Sequence, residues 1–271
     1  MRISILISFI SLFFACNSNQ NKSEDEVSPP YDQLVWSEEF EGESLDMDKW
    51  SYSIGDGCPH LCGWGNNELQ YYTDKPKNVR LEDGVLILEV HKDSIGNRGF
   101  SSGKIHSRGN GSWKYGRFEV RAKLPNTLGS WAAIWMLPEK HNYGGWPKSG
   151  EMDIMEHVGW DPDSTLSTIH TGAFNHMIGT HKGESLYVPD CDETFHVYSL
   201  HWEEEFLEFF VDDQSVFIFK NEHKTSEEWP YDHPFYFIFN VAFGGNLGGK
   251  MGVDDSELPV KMEIDYARVY Q

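Results

Sequence analysis

From Leu34 to the C-terminus, apolar and aromatic side chains recur in short, largely alternating runs broken by turn residues. A period of two puts alternate side chains on opposite faces of an extended chain, so these runs read as strands; helical periodicity is almost absent. The runs cover residues 34–40, 78–82, 85–92, 115–124, 130–137, 151–158, 165–171, 195–202, 206–213, 215–220, 235–243 and 260–270. Asp83-Gly84 between two apolar runs is the strongest short-range hairpin signal in the chain. One short helix is expected over residues 46–50. There is no internal repeat and no second low-complexity linker, so residues 31–271 read as a single all-β domain, a double-sheet sandwich of the jelly-roll kind. Aromatics reach 14%, with 10 Trp, and there are 25 Gly. Spare aromatic surface of that kind suits a binder of something neutral and flat.

Residues 1–30 are of another character. Arg2 is followed by a nearly unbroken apolar run to Ala15, too short to span a bilayer as a helix, which needs ~20 apolar residues. Residues 1–15 therefore read as a signal peptide. The run ends Leu12-Phe13-Phe14-Ala15-Cys16, which resembles the lipobox of bacterial lipoproteins. A lipid on Cys16 anchors a chain without a spanning helix and points to the outer membrane or cell surface, or otherwise to secretion or the periplasm. Residues 16–30 lack aromatics and are polar and acidic, as a disordered tether is. Three further cysteines remain. Cys58 and Cys62 are read either as a small loop disulfide or, with Cys191, as free thiols; zinc with His60 nearby is weakly supported by one C-x-x-x-C alone.

The chain carries 22 Lys+Arg against 43 Asp+Glu, a formal charge of −21. Nucleic-acid binding depends on basic groups displacing counterions, so that class is excluded, and a polyanionic sugar is disfavoured by the same repulsion.

The chemistry concentrates in residues 150–157. Glu151 and Asp153 share one face of a regular strand, and Glu156 falls on the other. One β-bulge near Ile154-Met155 shifts the phase and returns Glu156 to the face of the other two. Three carboxylates on one face, with apolar residues behind, cost stability unless protons are shared or the charges are used.

E-x-D-x-x-E in this setting resembles glycoside hydrolase family 16, in its bulged branch containing the laminarinases. Residues 65–73, 115–125, 129–138, 144–159, 234–249 and 262–271 are similar to blocks of that family in the same order. The resemblance covers nearly everything from Leu34 to Gln271 and implies a curved jelly roll with a sugar cleft across its concave sheet. It implies Glu151 as nucleophile, Glu156 as general acid/base and Asp153 as the residue assisting Glu151 by hydrogen bonding. A retaining double displacement of this kind needs its two carboxyls ~5–5.5 Å apart, one ionised and one protonated. Trp131, Trp135 and Trp146 correspond to aromatic cleft residues, Asn66 and Asn67 to a polar sugar-contacting corner, and His170 to a residue pointing into the cleft beside Glu156. Lys104 stands where many members carry Arg, and Lys lacks the planar fork of that contact.

The implied activity is endo-hydrolysis of 1,3-β-glucan by a monomer, with a neutral β-glucan polysaccharide as partner and no catalytic cofactor. Two alternatives stand beside it: the same fold and mechanism on mixed-linkage glucan or an agarose-like galactan, and a non-catalytic glycan-binding lipoprotein. The resemblance also implies a structural calcium ion away from the cleft, on the Asp265 carboxylate and the carbonyls of Glu39 and Gly84. If Cys16 carries a lipid, Cys16→Ala moves the protein from the membrane pellet to the soluble fraction; a variant that stays in the pellet rules the anchor out.

Overall fold

The computed structural model describes residues 31–271; the residues read as a signal peptide, a lipidated Cys16 and a tether lie outside them. Seventeen strands follow in chain order: β1 (Leu34–Glu38), β2 (Ser51–Tyr52), β3 (Gln70–Tyr72), β4 (Val79–Glu82), β5 (Val85–Ile95) and β6 (Arg98–Ser102). Next come β7 (Lys104–His106), β8 (Gly116–Lys123), β9 (Ser130–Pro138), β10 (Glu151–Val158), β11 (Ser164–His170) and β12 (Lys182–Tyr187). The chain closes with β13 (His196–Trp202), β14 (Phe206–Val211), β15 (Gln214–Lys220), β16 (Phe235–Phe243) and β17 (Val260–Tyr270). They form two sheets packed as a jelly-roll sandwich, one of ten strands and one of seven in the order β12-β11-β10-β9-β16-β7-β2.

The core lies between the sheets and is rich in aromatics. All nine residues of β16 are buried. Phe237 packs against Trp36, Trp113, Phe118 and Phe239 with ring centroids 5.4–6.2 Å apart, spacings at which offset and edge-on rings attract. Alternation then decides the outer face of the seven-stranded sheet. On β9, Ala132, Ile134 and Met136 enter the core, while Trp131, Ala133, Trp135 and Leu137 line a cleft on the opposite side. On β16, Phe239 and Val241 enter the core and Asn240 and Ala242 line the same cleft.

The Asp83-Gly84 hairpin forms as the sequence requires, with Glu82 paired to Val85 and φ of 53° and 78° at the two turn residues. Positive φ at both positions is what a tight primed turn demands. The helix expected over residues 46–50 is absent. A single turn forms there, Asp46 O accepting from the amides of Lys49 and Trp50. Trp50 is drawn fully into the core and β2 begins at the next residue, so the turn does not propagate. Among the described residues the one α-helix is the single turn Gly245–Gly248, and no helix is long and apolar enough to cross a membrane.

Candidate active site

Strand β10 carries the three acids, and its entry is sterically determined. Gly150 has φ of 88°, and a Cβ there would lie 3.0 Å from atoms of Phe235, Pro230 and Tyr231, so glycine is the residue that admits the chain here without strain. Along β9, Asp153 pairs with Trp135 and Met155 with Ile134, which leaves Ile154 as the extra residue. This is the bulge read from the sequence. Ile154 and Met155 both enter the core, the Ile154 carbonyl accepts from Ser167 Oγ at 2.9 Å, and Glu151, Asp153 and Glu156 all reach the cleft.

The acids are held by indoles. Trp146 Nε1 donates to Glu151 Oε2 at 2.8 Å, and Trp131 Nε1 donates to Glu156 Oε1 at 3.0 Å. Two of the three tryptophans read from sequence as flat sugar surfaces are thus also donors to the acids. Trp135 Nε1 donates to Asn240 Oδ1 at 2.8 Å. The Tyr231 hydroxyl donates to the backbone carbonyls of Glu151 and His170 at 3.1 and 3.3 Å, which ties β10 to β11 from behind.

Burial raises all three carboxyls. Burial and then the charge of Glu156 push Glu151 up to about 8, opposed by the Trp146 bond and by Lys104. Burial and then the charges of Glu151 and Glu156 hold Asp153 well above the usual carboxylate range. Burial also raises Glu156, against the hydrogen bonds from Trp131 and Thr168. Like charges this close cannot all ionise, so protons are shared among them.

His170 does not sit beside Glu156. It pairs with Glu151 in the β10–β11 register, whereas Glu156 lies opposite Leu166. Its Nε2 is 3.7 Å from Glu151 Oε1 and 3.5 Å from Asp153 Oδ2. Burial, then the neighbouring His176 and His181, push its ring down to about 3, so it is neutral at pH 7.

The cleft encloses about 600 Å³. Among the described residues Lys104 is its single Lys or Arg, with Nζ 4.4 Å from the centre of the Trp64 ring and 4.9 Å from that of Trp135. Burial pulls the amine down to about 8 against the attraction of Glu68 and Glu151. Glu68 is itself buried and accepts from Gln70 Nε2 at 2.5 Å and the Tyr72 hydroxyl at 3.3 Å. Asn66 lines the cleft; Asn67 is displaced from it and donates to Asn246 Oδ1 at 2.8 Å, so Asn246 takes the wall position expected of Asn67. Sequence reading missed Trp64, Glu68, Asn240 and Asn246. Asn240 was open to detection, being a polar residue inside the apolar run 235–243.

Away from the cleft, β17 is flanked by β1 over one half and β5 over the other: Glu38 pairs with Ala267, and Leu86 with Ile264. Asp265 stands at the join, with Glu39 and Gly84 at the facing strand ends. Its carboxylate is 2.5 Å from the Arg121 guanidinium, and the Glu39 carboxylate is held by Arg268 at 2.7 and 3.0 Å. Cys58 and Cys62 form a disulfide, which removes the zinc alternative, and Cys191 is a buried free thiol.

Buried paired carboxyls on the outer face of a jelly-roll sheet, lined by indoles and amides, define a carbohydrate-cleaving site. Residues 65–268 match the family described as glycosyl hydrolases family 16, and the chain belongs to it. It is 44% identical to the beta-glucanase of Rhodothermus marinus over 97% of this chain and 92% of that protein. The solved laminarinase from Rhodothermus marinus superposes with a TM-score of 0.85 at 45% identity, covering 88% of this chain and 97% of that one. SCLam, a non-specific endo-β-1,3(4)-glucanase, superposes with a TM-score of 0.83 at 45% identity over 88% of this chain and 91% of its own.

The raised carboxyls make stability depend on pH. A carboxyl whose value rises on folding from 4.5 to about 8 contributes fully below 4.5 and loses that contribution as pH rises through about 8. Glu151→Gln, which cannot ionise, is expected to raise the thermal unfolding midpoint by several degrees at alkaline pH and to leave it nearly unchanged in acid. Scanning calorimetry at both ends of the range checks this, and an equal shift at both excludes the electrostatic cause.

Proposed function

We propose that the protein hydrolyses internal 1,3-β linkages of a neutral, laminarin-type glucan with retention of configuration. The observation that carries the reading is the bulged strand that sets Glu151, Asp153 and Glu156 on one buried face of an indole-lined cleft, in a chain this similar to a beta-glucanase. Glu151 attacks the anomeric carbon while Glu156 gives its proton to the departing glycosidic oxygen. Glu156, now ionised, takes a proton from the water that releases the glycosyl-enzyme. Asp153, whose carboxyl is pushed up by burial and then by the charges of Glu151 and Glu156, faces Glu151 and steadies its charge. Indole faces offer flat apolar surface to the C–H faces of glucose, and the amides of Asn66, Asn240 and Asn246 offer donors and acceptors to its hydroxyls.

A second reading extends the substrate to mixed 1,3-1,4 glucan and is favoured by the 45% identity to SCLam. A sulfated polymer is disfavoured, although a keratan-sulfate endo-1,4-beta-galactosidase from Sphingobacterium multivorum is 31% identical over 88% of this chain. The cleft offers a sulfate group one cation, Lys104, which is itself drawn to Glu68 and Glu151. A binding-only role is disfavoured by the presence of all three acids.

With this reading goes a calcium ion at the join of β1, β5 and β17. Asp265 would supply a carboxylate, Glu39 and Gly84 backbone carbonyls, and waters the rest of the 6–8 oxygens calcium prefers. The donors suit a hard cation, and Arg121 must release the Asp265 carboxylate to it. A chelator is then expected to lower the melting temperature of the wild type by several degrees and to leave Asp265→Asn unaffected; equal curves for the wild type with and without chelator exclude the ion.

The two glutamates should fail differently. Glu156→Ala loses roughly 10²–10⁴-fold on laminarin, the size of a general-acid contribution. It should still release phenol from an activated aryl laminaribioside, faster with azide and giving a β-configured adduct. Glu151→Ala with azide should give the α adduct, because displacement then happens once. Proton NMR of the products distinguishes the two, and interchangeable behaviour overturns the assignment.

A further inference from the structure

Glu151, Asp153 and His170 bring three donor atoms within 4.8 Å of one another. His170 Nε2 stands 3.5 Å from Asp153 Oδ2 and 3.7 Å from Glu151 Oε1. Those separations are too long for N–H···O hydrogen bonds of ~2.7–3.2 Å. They are close to the ligand-to-ligand edge, about 3.4 Å, of a tetrahedral cation with bonds of ~2.0–2.2 Å.

The donors are also free. Asp153 Oδ2 is buried with no hydrogen-bond partner, in a residue only 4% exposed, and it is the oxygen turned toward His170. Glu151 uses Oε2 for Trp146, leaving Oε1 on the His170 side. An imidazole nitrogen is the commonest protein ligand for such an ion. Tyr231 fixes the backbones of Glu151 and His170 together, so the donors are positioned in advance.

We propose that Glu151, Asp153 and His170 bind one divalent first-row transition cation such as Zn²⁺, which occupies the catalytic carboxylates and switches hydrolysis off. One imidazole and two carboxylates suit zinc, whereas calcium and magnesium prefer all-oxygen shells. Binding needs both carboxyls ionised, so the protons that burial and repulsion leave on them pass to solvent, and the ion then offsets the repulsion between the ionised acids. Water would complete the coordination. A glucan chain reaching Glu151 and the ion compete for the same atoms.

The inference rests on the hydrolytic reading above, so binding and hydrolysis are measured separately. Calorimetric titration of the full chain with Zn²⁺ in chelator-free buffer should show one ion per chain, with the apparent affinity weakened by a laminari-oligosaccharide. Laminarin hydrolysis by the wild type should fall with the same Zn²⁺ dependence and recover with chelator. His170→Gln and Asp153→Asn, each checked for fold by circular dichroism, should weaken binding at least tenfold, while Asp265→Asn binds as the wild type does. The proposal is overturned if the wild type shows no saturable event, or if both variants bind normally. Zinc uptake that leaves hydrolysis intact, or binding lost instead in His176→Ala or His181→Ala, overturns it equally. Absence of any laminarin hydrolysis with zinc binding intact would count against the hydrolytic reading alone.

Discussion

Every feature of this molecule's cleft answers to one electrostatic problem, the burial of three carboxyls from a single strand. An isolated buried carboxylate is too costly to keep ionised in an apolar site, and it neutralises unless donors or a counter-charge hold it. The fold supplies both, unevenly. Trp146 and Trp131 donate to Glu151 and Glu156, and the lone lysine of the cleft attracts Glu151. Asp153 receives no comparable donor, and burial and then two like charges push its carboxyl well above the usual range. The arrangement is stable only because the sandwich behind it is rigid: the bulge residues Ile154 and Met155, the fully buried strand β16 and the Tyr231 tie leave little room for the acids to separate.

That rigidity is visible in what each element gives up. Strand β10 sacrifices one regular rung to align its acids, and the Ile154 carbonyl that loses its place in the ladder is recovered by Ser167. Gly150 accepts a conformation that would strain any larger residue there. Local irregularity concentrated at a site, inside an otherwise regular sheet, is where structure departs from strand rules for the sake of chemistry.

Much of this was legible from residue order. A two-residue period with one insertion predicts the bulge, because only that shift reconciles three acids with an apolar core, and the long alternating runs became strands close to where they were read. What failed failed for identifiable reasons. Strands β2, β3, β6, β7 and β12 are short or polar and carry too few alternations to stand out from loops. His170 was assigned to the correct sheet face but the wrong acid, because a face follows from periodicity while the partner follows from the register that the residue 159–163 turn imposes. Asn67 has φ of 56° and turns out of the wall that Asn66 joins. Residues 46–50 have helical composition, yet Trp50 contributes more by entering the core than by extending a turn.

Lys104 shows how sequence and electrostatics combine in the division of labour. The chemistry requires one ionised and one protonated glutamate, and mutual repulsion enforces that, since ionising Glu156 is the second largest influence raising Glu151. Repulsion alone does not decide which of the two is ionised. Trp146 and Lys104 both lower Glu151, while the donors on Glu156 are neutral groups, Trp131 and Thr168. A cation thus acts on one member of the pair only. Wedged between Trp64 and Trp135 and drawn toward Glu68, the amine is kept from collapsing onto Glu151 as a direct salt bridge. A direct bridge would tie up the Glu151 oxygen that Trp146 leaves free; a cation held to one side lowers the group without doing so. A compact ammonium fits between two indoles where a planar guanidinium would seek a bidentate carboxylate partner, and Glu68 and Glu151 are the carboxylates it would find. Lys104, the position where the sequence resemblance implies Arg, partly offsets the burial and the Glu156 charge that raise Glu151.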